Sequence, residues 1–215
     1  MRNRWSEEAV KGMSALELLV YQSRLIGEDE ALVLWGGGNT SLKTVEKDHV
    51  GRDTRVIRIK GSGADLKESQ AKDFPGLRLE EILPLIERGD MSDEEMVDYL
   101  ANCQIYSHSS SRPSIETLLH AFLPFASVAH SHADAILSLT NNTLRDKAIK
   151  EVLGEDIIVI GYRRPGFLLA REVELAFRQS PESSAVVLVN HGLITCGGTA
   201  KEAYDRHIKV VSSAE

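Results

Sequence analysis

The chain is expected to fold as one layered α/β domain, and three observations predict it. Apolar runs of strand length alternate with amphipathic stretches of helix length. No linker, internal repeat or low-complexity tract divides the 215 residues. The balance of 42% apolar and 27% charged residues belongs to a soluble domain that can bury its own core.

Each element has a local reason. Residues 14–27 place Leu16, Leu19, Val20 and Leu25 at helical spacing, which predicts an amphipathic helix. Residues 31–35 form a short apolar run read as a strand. The run Gly36-Gly37-Gly38-Asn39 is a sharp turn, and residues 40–43 start a returning strand. Residues 54–59 mix Arg55 and Arg58 with Val56, Ile57 and Ile59, as a half-buried strand does. A second glycine turn follows at Gly61, Ser62 and Gly63.

The middle of the chain turns helical. Helices are expected at residues 79–87 and 91–103, the second with Ser92 as N-cap and Glu95 at capping-box spacing. Residues 104–112 are polar and serine-rich, hence a loop, and Pro113 and Ser114 open a helix to Phe122. Residues 126–132 read as a strand, with helices at 133–140 and 145–153. Then come a buried-type strand at 157–160 and a helix at 166–179. The β-branched run at 185–189 predicts a central strand, followed by a short strand at 193–196 and a helix from Thr199 onward.

Composition also limits function. A formal charge of −7 argues against a nucleic-acid surface, which needs a basic patch. Cys103 and Cys196 form no CxxC pair, so a reducing cytoplasm is the expected compartment. No signal peptide is expected, and no segment reaches the roughly 20 apolar residues of a membrane span.

The chemistry concentrates in histidines. Val128-Ala129-His130-Ser131-His132 sets two imidazoles two residues apart, and positions i and i+2 of a strand face one side. His191 closes another apolar run beside Gly192. Three imidazoles with an open coordination position describe a catalytic metal site, whereas a lone His-x-His is a weak signal. His49, His108, His120 and His207 read as ordinary polar residues, His120 lying four after Glu116 where it can pair with it.

Asn39 in GGGNTS, Ser62 in KGSG, Ser114 and Glu116 in RPSIET, VAHSHA and NHGLITCG occur in one order. That order resembles the class II aldolase/adducin family over most of the chain. The segments GRDTRVIRIKGSGADL, FPGLRLEEILPL and MSDEEMVDYL resemble the aldolase domain of bifunctional rhamnulose-1-phosphate aldolase/short-chain dehydrogenase proteins. No dehydrogenase half is present, so residues 1–215 are a single aldolase domain, either part of a longer chain or a standalone relative.

The resemblance implies a layered α/β/α fold around a mostly antiparallel sheet. It implies one zinc ion on His130, His132 and His191, with Glu116 exchanging the proton at an enediolate carbon. Asn39, Ser62, Gly63 and Ser114 match the family's phosphate-binding positions. Ile115 stands where the family often has a second serine, so that donor is missing or comes from Ser109, Ser110 or Ser111. The implied reaction is cleavage of a ketose 1-phosphate in a homotetramer. A tyrosine from a neighbouring subunit or the tail is also implied, with Tyr162 and Tyr204 candidates by elimination.

Other readings stand beside it. An epimerase tends to carry Asp where this chain has Glu116, whereas a dehydratase keeps the histidines and a glutamate. A non-catalytic adducin-like module lacks the full triad. A nucleotide-dependent oxidoreductase is disfavoured because GGGN leads toward a strand, not a helix.

Overall fold

The computed structural model describes residues 1–106, 111–143, 145–154 and 156–215. Among these, seven strands form one sheet in the order β3-β2-β1-β4-β7-β6-β5. They are β1 (Asn39–Lys47), β2 (Asp53–Ile59), β3 (Gly76–Arg78), β4 (Ser127–Ser131), β5 (Ile158–Ile160), β6 (Ala185–Leu188) and β7 (Gly192–Gly197). Every neighbouring pair is antiparallel except β5 with β6.

Helices cover both faces. They are α1 (Ala15–Gly27), α2 (Leu79–Ile82), α3 (Asp93–Asn102), α4 (Thr117–Phe122), α5 (Asp134–Thr140), α6 (Arg145–Leu153), α7 (Phe167–Gln179) and α8 (Ala200–Ala214). Strand alternation sorts the core. Ile57, Ile59, Val128, Val186 and Ile194 pack with Leu79, Leu100, Leu118 and Phe167 from α2, α3, α4 and α7. Ala129, Val187 and Leu193 turn the other way, onto Ile26, Ile136, Ile149 and Ile208 from α1, α5, α6 and α8. The expected α/β/α layering is therefore present, and the sheet is mostly antiparallel.

Capping fixes several helix starts. Ser14 Oγ accepts from the Glu17 N–H while Glu17 Oε2 accepts from the Ser14 N–H at 2.7 Å, a reciprocal box at α1. Ser92 Oγ accepts from the Glu95 N–H at 3.1 Å, so the expected N-cap of α3 is in place. Thr199 does the same for α8 through the Glu202 N–H at 3.1 Å.

Some elements differ from expectation. Residues 31–35 are not a strand. Asp29 folds them into turns, its carbonyl accepting from the N–H groups of Leu32 at 2.9 Å and Val33 at 3.2 Å. Leu32 and Val33 are apolar because they are buried in the core, not because they pair in a sheet. β3 was not expected: it has three residues and takes its register from β2. α4 begins at Thr117, so Pro113 and Ser114 precede it. The 185–188 strand is interior but one place from the edge; the middle position belongs to β4.

His207 shows how α8 is tied to the sheet. The Thr195 hydroxyl donates to the Ala203 carbonyl at 2.9 Å, so Thr195 Oγ1 accepts from His207 Nδ1, also at 2.9 Å. His207 Nε2 then accepts from the Ser131 hydroxyl at 2.6 Å. Burial holds protonation of His207 down from 6.5 to about 3. Burial, opposed by the charge of Glu116, lowers His120 to the same value of about 3.

Below pH 6.5 the unfolded chain binds a proton at each of these histidines, while the folded chain resists until about pH 3. Their contribution is complete above 6.5 and is lost as pH falls through that window, at about 1.4 kcal/mol per pH unit for each group. His207→Gln keeps a donor and an acceptor but cannot titrate. Its melting temperature in metal-free protein should therefore decline less steeply than wild type between about pH 6 and 4.5. Parallel declines would show that His207 is not held neutral by the fold.

Candidate metal centre

The middle strand carries the first two imidazoles. Alternation along β4 sends Ser131 toward His207 on α8 and sends His130 the other way, toward Glu116 at the N-cap of α4. His132 lies just past the strand end. His191 arrives on the turn between β6 and β7, where its N–H donates to the Leu188 carbonyl at 3.0 Å. Asn190 takes φ 58° in that turn, a conformation asparagine tolerates better than most residues.

Glycine is required at the next position. A Cβ at Gly192 would stand 2.1 Å from the Ser131 carbonyl oxygen and 3.2 Å from His130 Cε1. The first glycine turn lies close against the His132 ring. A Cβ at Gly37 would stand 3.1 Å from His132 Nδ1.

Each of the three histidines offers a ring nitrogen, and these nitrogens all lie within 4.8 Å of one another. Ring centroids are 4.9 Å apart for His130 with His132 and with His191, and 5.3 Å for His132 with His191. The Leu193 carbonyl is 3.0 Å from His130 Nδ1 and only accepts, so Nδ1 carries the proton and Nε2 presents its lone pair. His130 Nε2 is buried without a hydrogen-bond partner, as is His191 Nδ1. An unpartnered buried polar atom costs about 1–3 kcal/mol, which a shared cation offsets.

Electrostatics agree with that donor set. Burial first, then the positive charge that His191 and His132 would bring, hold His130 protonation well below the ordinary histidine range. Burial and His191 lower His132 in the same direction. Neutral imidazoles are what a divalent cation needs, and an all-nitrogen set suits zinc and its neighbours. The residues present therefore fit a metal ion.

A carboxylate borders the cluster. Glu116 is buried, with Oε1 3.5 Å from His191 Nε2 and Oε2 3.7 Å from His130 Nε2. Asn39 Nδ2 donates to Glu116 Oε2 at 2.6 Å. The β1–β4 register makes Asn39 the direct partner of His130, which is why two residues far apart in sequence reach one carboxylate.

The second glycine turn is stapled nearby. The Gly61 N–H donates to the Asp73 carbonyl at 2.7 Å, and the Ser62 N–H donates to the Arg112 carbonyl at 2.9 Å. Ser62 and Gly63 are exposed, with Gly63 at φ 81°. Ser114 is buried and its Oγ accepts from the Glu116 N–H at 3.2 Å. The fold thus gathers Asn39, Glu116, His130, His132 and His191 directly, while Ser62 and Gly63 are joined to them through the backbone at Arg112. Of the serine run, Ser109 and Ser110 lie outside the described residues, as does His108.

Lys60 is a site residue that the sequence reading passes over. It is 3% exposed, and its ammonium donates to the Gly36 carbonyl at 3.0 Å and the Ala64 carbonyl at 2.6 Å. It therefore pins the two glycine turns to each other. Burial lowers its pKa, opposed by the charges of Asp65, Glu116 and Asp73. The available signal was a lysine closing an apolar strand immediately before a glycine turn.

Other expectations resolve locally. His120 does not pair with Glu116 through its ring; its Nδ1 lies 2.8 Å from Ser41 Oγ. His49 packs edge-on against Tyr106 at 5.0 Å. Tyr204 is buried on α8, with its hydroxyl accepting from the Arg4 N–H at 3.3 Å, and Tyr162 is exposed. Among the described residues, no helix is long and apolar enough to cross a membrane.

Comparison with known proteins places this geometry. The sequence profile of the Class II Aldolase and Adducin N-terminal domain matches residues 17–215. The N-terminal class II aldolase domain of a conserved Thermoplasma acidophilum protein superposes with a TM-score of 0.92 at 48% identity, covering 100% of this chain and 97% of that one. A Bacillus subtilis (strain 168) protein, named uncharacterized oxidoreductase YuxG, is 45% identical over 210 residues. That match covers 98% of this chain but only 30% of the relative's length. The L-fuculose-1-phosphate aldolase of Thermus thermophilus shares the fold, with a TM-score of 0.59 at 20% identity and 92% of each chain covered.

Proposed function

Because the chain belongs to the class II aldolase and adducin family, we propose that it is a zinc-dependent aldolase. It cleaves a ketose 1-phosphate of the rhamnulose-1-phosphate kind into dihydroxyacetone phosphate and an aldehyde. The observation that carries this reading is the meeting of three imidazoles with one buried carboxylate. A divalent cation held by His130, His132 and His191 would act as a Lewis acid toward the ketose oxygens and stabilise the negative charge left by bond cleavage.

The chain's own groups supply the rest. Glu116 Oε1 has no hydrogen-bond partner and is free to exchange a proton with the carbon next to the carbonyl. Ser114 accepts from the Glu116 N–H and keeps its own hydroxyl hydrogen to give to phosphate. The Ser62 hydroxyl and the Gly63 N–H complete a short donor set at an exposed turn. Asn39 gives one of its two amide hydrogens to Glu116, which leaves only one for the phosphate. Lys60 keeps the turns in register. Glu116, rather than aspartate, favours the aldolase over the epimerase reading. We place the enzyme in the cytoplasm as a homotetramer, in keeping with two buried cysteines that form no disulfide.

The test is direct. Purified protein should carry about one zinc per chain, the stoichiometry of a single catalytic site. It should release dihydroxyacetone phosphate from rhamnulose 1-phosphate, read by a coupled glycerol-3-phosphate dehydrogenase assay. A chelator should stop the reaction and added zinc restore it. Epimerisation of ribulose 5-phosphate without cleavage would replace the aldolase reading, and failure to retain zinc would remove it.

A further inference from the structure

We propose that Trp35 is a movable cover for the phosphate end of the substrate: its indole swings on a fixed turn to lie over a phosphate at Ser62 and Gly63, and gives it the indole N–H. This rests on the phosphate role proposed for those two residues.

Two observations single out Trp35. Its side chain is 85% exposed, whereas the chain's other tryptophan, Trp5, stacks against Tyr21 and Tyr204 with ring centroids 5.2 and 5.9 Å away. Its backbone stands at φ 47°, a left-handed conformation that is an outlier for a bulky side chain. Three glycines follow it, any of which takes positive φ without steric cost, and Gly38 does so at 63°. The tryptophan is strained all the same, and what the strain sets is the direction in which the ring leaves the chain. Backbone strain of this kind collects at ligand sites.

The turn beneath the ring is held in place. The Gly37 N–H donates to the Leu34 carbonyl at 3.1 Å, closing the turn around Trp35. One Lys60 ammonium donates to the Gly36 carbonyl and to the Ala64 carbonyl, so the residue after Trp35 lies against the residue after Gly63. Among the described residues, a Cβ at Gly36 or at Gly63 would meet nothing within 4 Å, so both turns face open space. Rotation about the side-chain bonds of Trp35 then carries the indole across, with no change in the backbone.

The chemistry fits an anion. Tryptophan offers one N–H donor and no acceptor, and phosphate oxygens accept. The buried Lys60 ammonium behind both turns adds an attractive charge. An indole laid over the phosphate also keeps water from the Ser62 and Gly63 donors, which strengthens each of their hydrogen bonds.

Fluorescence reads the indole directly, in metal-free as well as zinc-loaded protein. Subtracting the emission of Trp35→Phe from that of wild type isolates Trp35. Without ligand, its emission should be that of an indole in water, and acrylamide should quench it freely. Inorganic phosphate and dihydroxyacetone phosphate should each shift that emission to the blue and shield it from acrylamide, while dihydroxyacetone does neither. Calorimetric titration with inorganic phosphate should show binding about tenfold weaker in Trp35→Ala, with Trp35→Phe between the two because it keeps a ring and lacks the N–H. Trp35→Gly should bind phosphate as weakly as the alanine variant yet melt within about 2 °C of wild type, since the exposed ring has no packing to lose.

Emission from Trp35 that neither phosphate compound moves would overturn the cover. So would emission already blue without ligand that reddens on dilution, which would assign the indole to a contact with a second copy of the chain. Cleavage of ketose phosphate with Trp35 unmoved would keep the aldolase reading and remove the cover. A phosphate-shielded Trp35 in protein that cleaves no ketose phosphate would do the reverse.

Discussion

His130→Ala is expected to abolish zinc retention while leaving the chain folded. His130 is the most deeply buried of the three histidines, and the Leu193 carbonyl locks its ring so that Nε2 points to the cluster. Losing a group that only orients a ligand typically costs 10–100-fold in metal affinity, so losing the ligand itself should cost at least about 10²-fold. The metal-free fold should tolerate the change better than an ordinary core truncation. A buried His130 Nε2 without a partner already costs about 1–3 kcal/mol, and alanine relieves that cost while removing packing contacts.

Two measurements check this together. Metal analysis after dialysis against a mild chelator should find zinc in wild type and almost none in the variant. Thermal melts should show a zinc-dependent rise only in wild type, since binding at 100-fold over the dissociation constant adds about 2.7 kcal/mol. A variant that keeps full zinc occupancy and the same rise would mean the ion sits elsewhere, and the centre described above would be wrong.

Much of this centre was legible because it depends on short-range rules. Period-two alternation put His130 and His132 on one side of a strand, and the β-branched run before His191 marked a second strand that ends at the same place. What alternation cannot supply is the order of strands. The β-branched 185–188 run looked central because it is apolar on both faces, yet a two-faced helical cover gives that pattern to any interior strand. Register is equally invisible, so the pairing of Asn39 with His130, and hence the Asn39–Glu116 bond, could not be read.

Burial misleads in a related way. Leu32 and Val33 are apolar because they fill the core beneath α1, and the Asp29 carbonyl folds their backbone into turns. A run of five residues does not separate those two reasons for being apolar. Lys60 inverts the problem. A lysine is seldom fully buried, so its place between an apolar strand and a glycine turn hinted at a role but did not show that the Gly36 and Ala64 carbonyls would take its charge.

Glu116→Gln separates the proton-transfer role from everything else the carboxylate does. Glutamine keeps the side-chain length, and its carbonyl oxygen can still accept from Asn39 Nδ2, so the 2.6 Å contact has a neutral counterpart. The three imidazoles are untouched, and zinc content should stay at the wild-type level. What disappears is a group able to take and return a proton next to His130 and His191. General acid–base catalysis contributes about 10²–10⁴-fold, so kcat for ketose-phosphate cleavage should fall within that range. KM should change little, because the proposed phosphate contacts lie on the Ser62 and Ser114 side. Cleavage at the wild-type rate by the glutamine variant, with zinc bound, would take Glu116 out of the mechanism. The proton would then have to pass through another group.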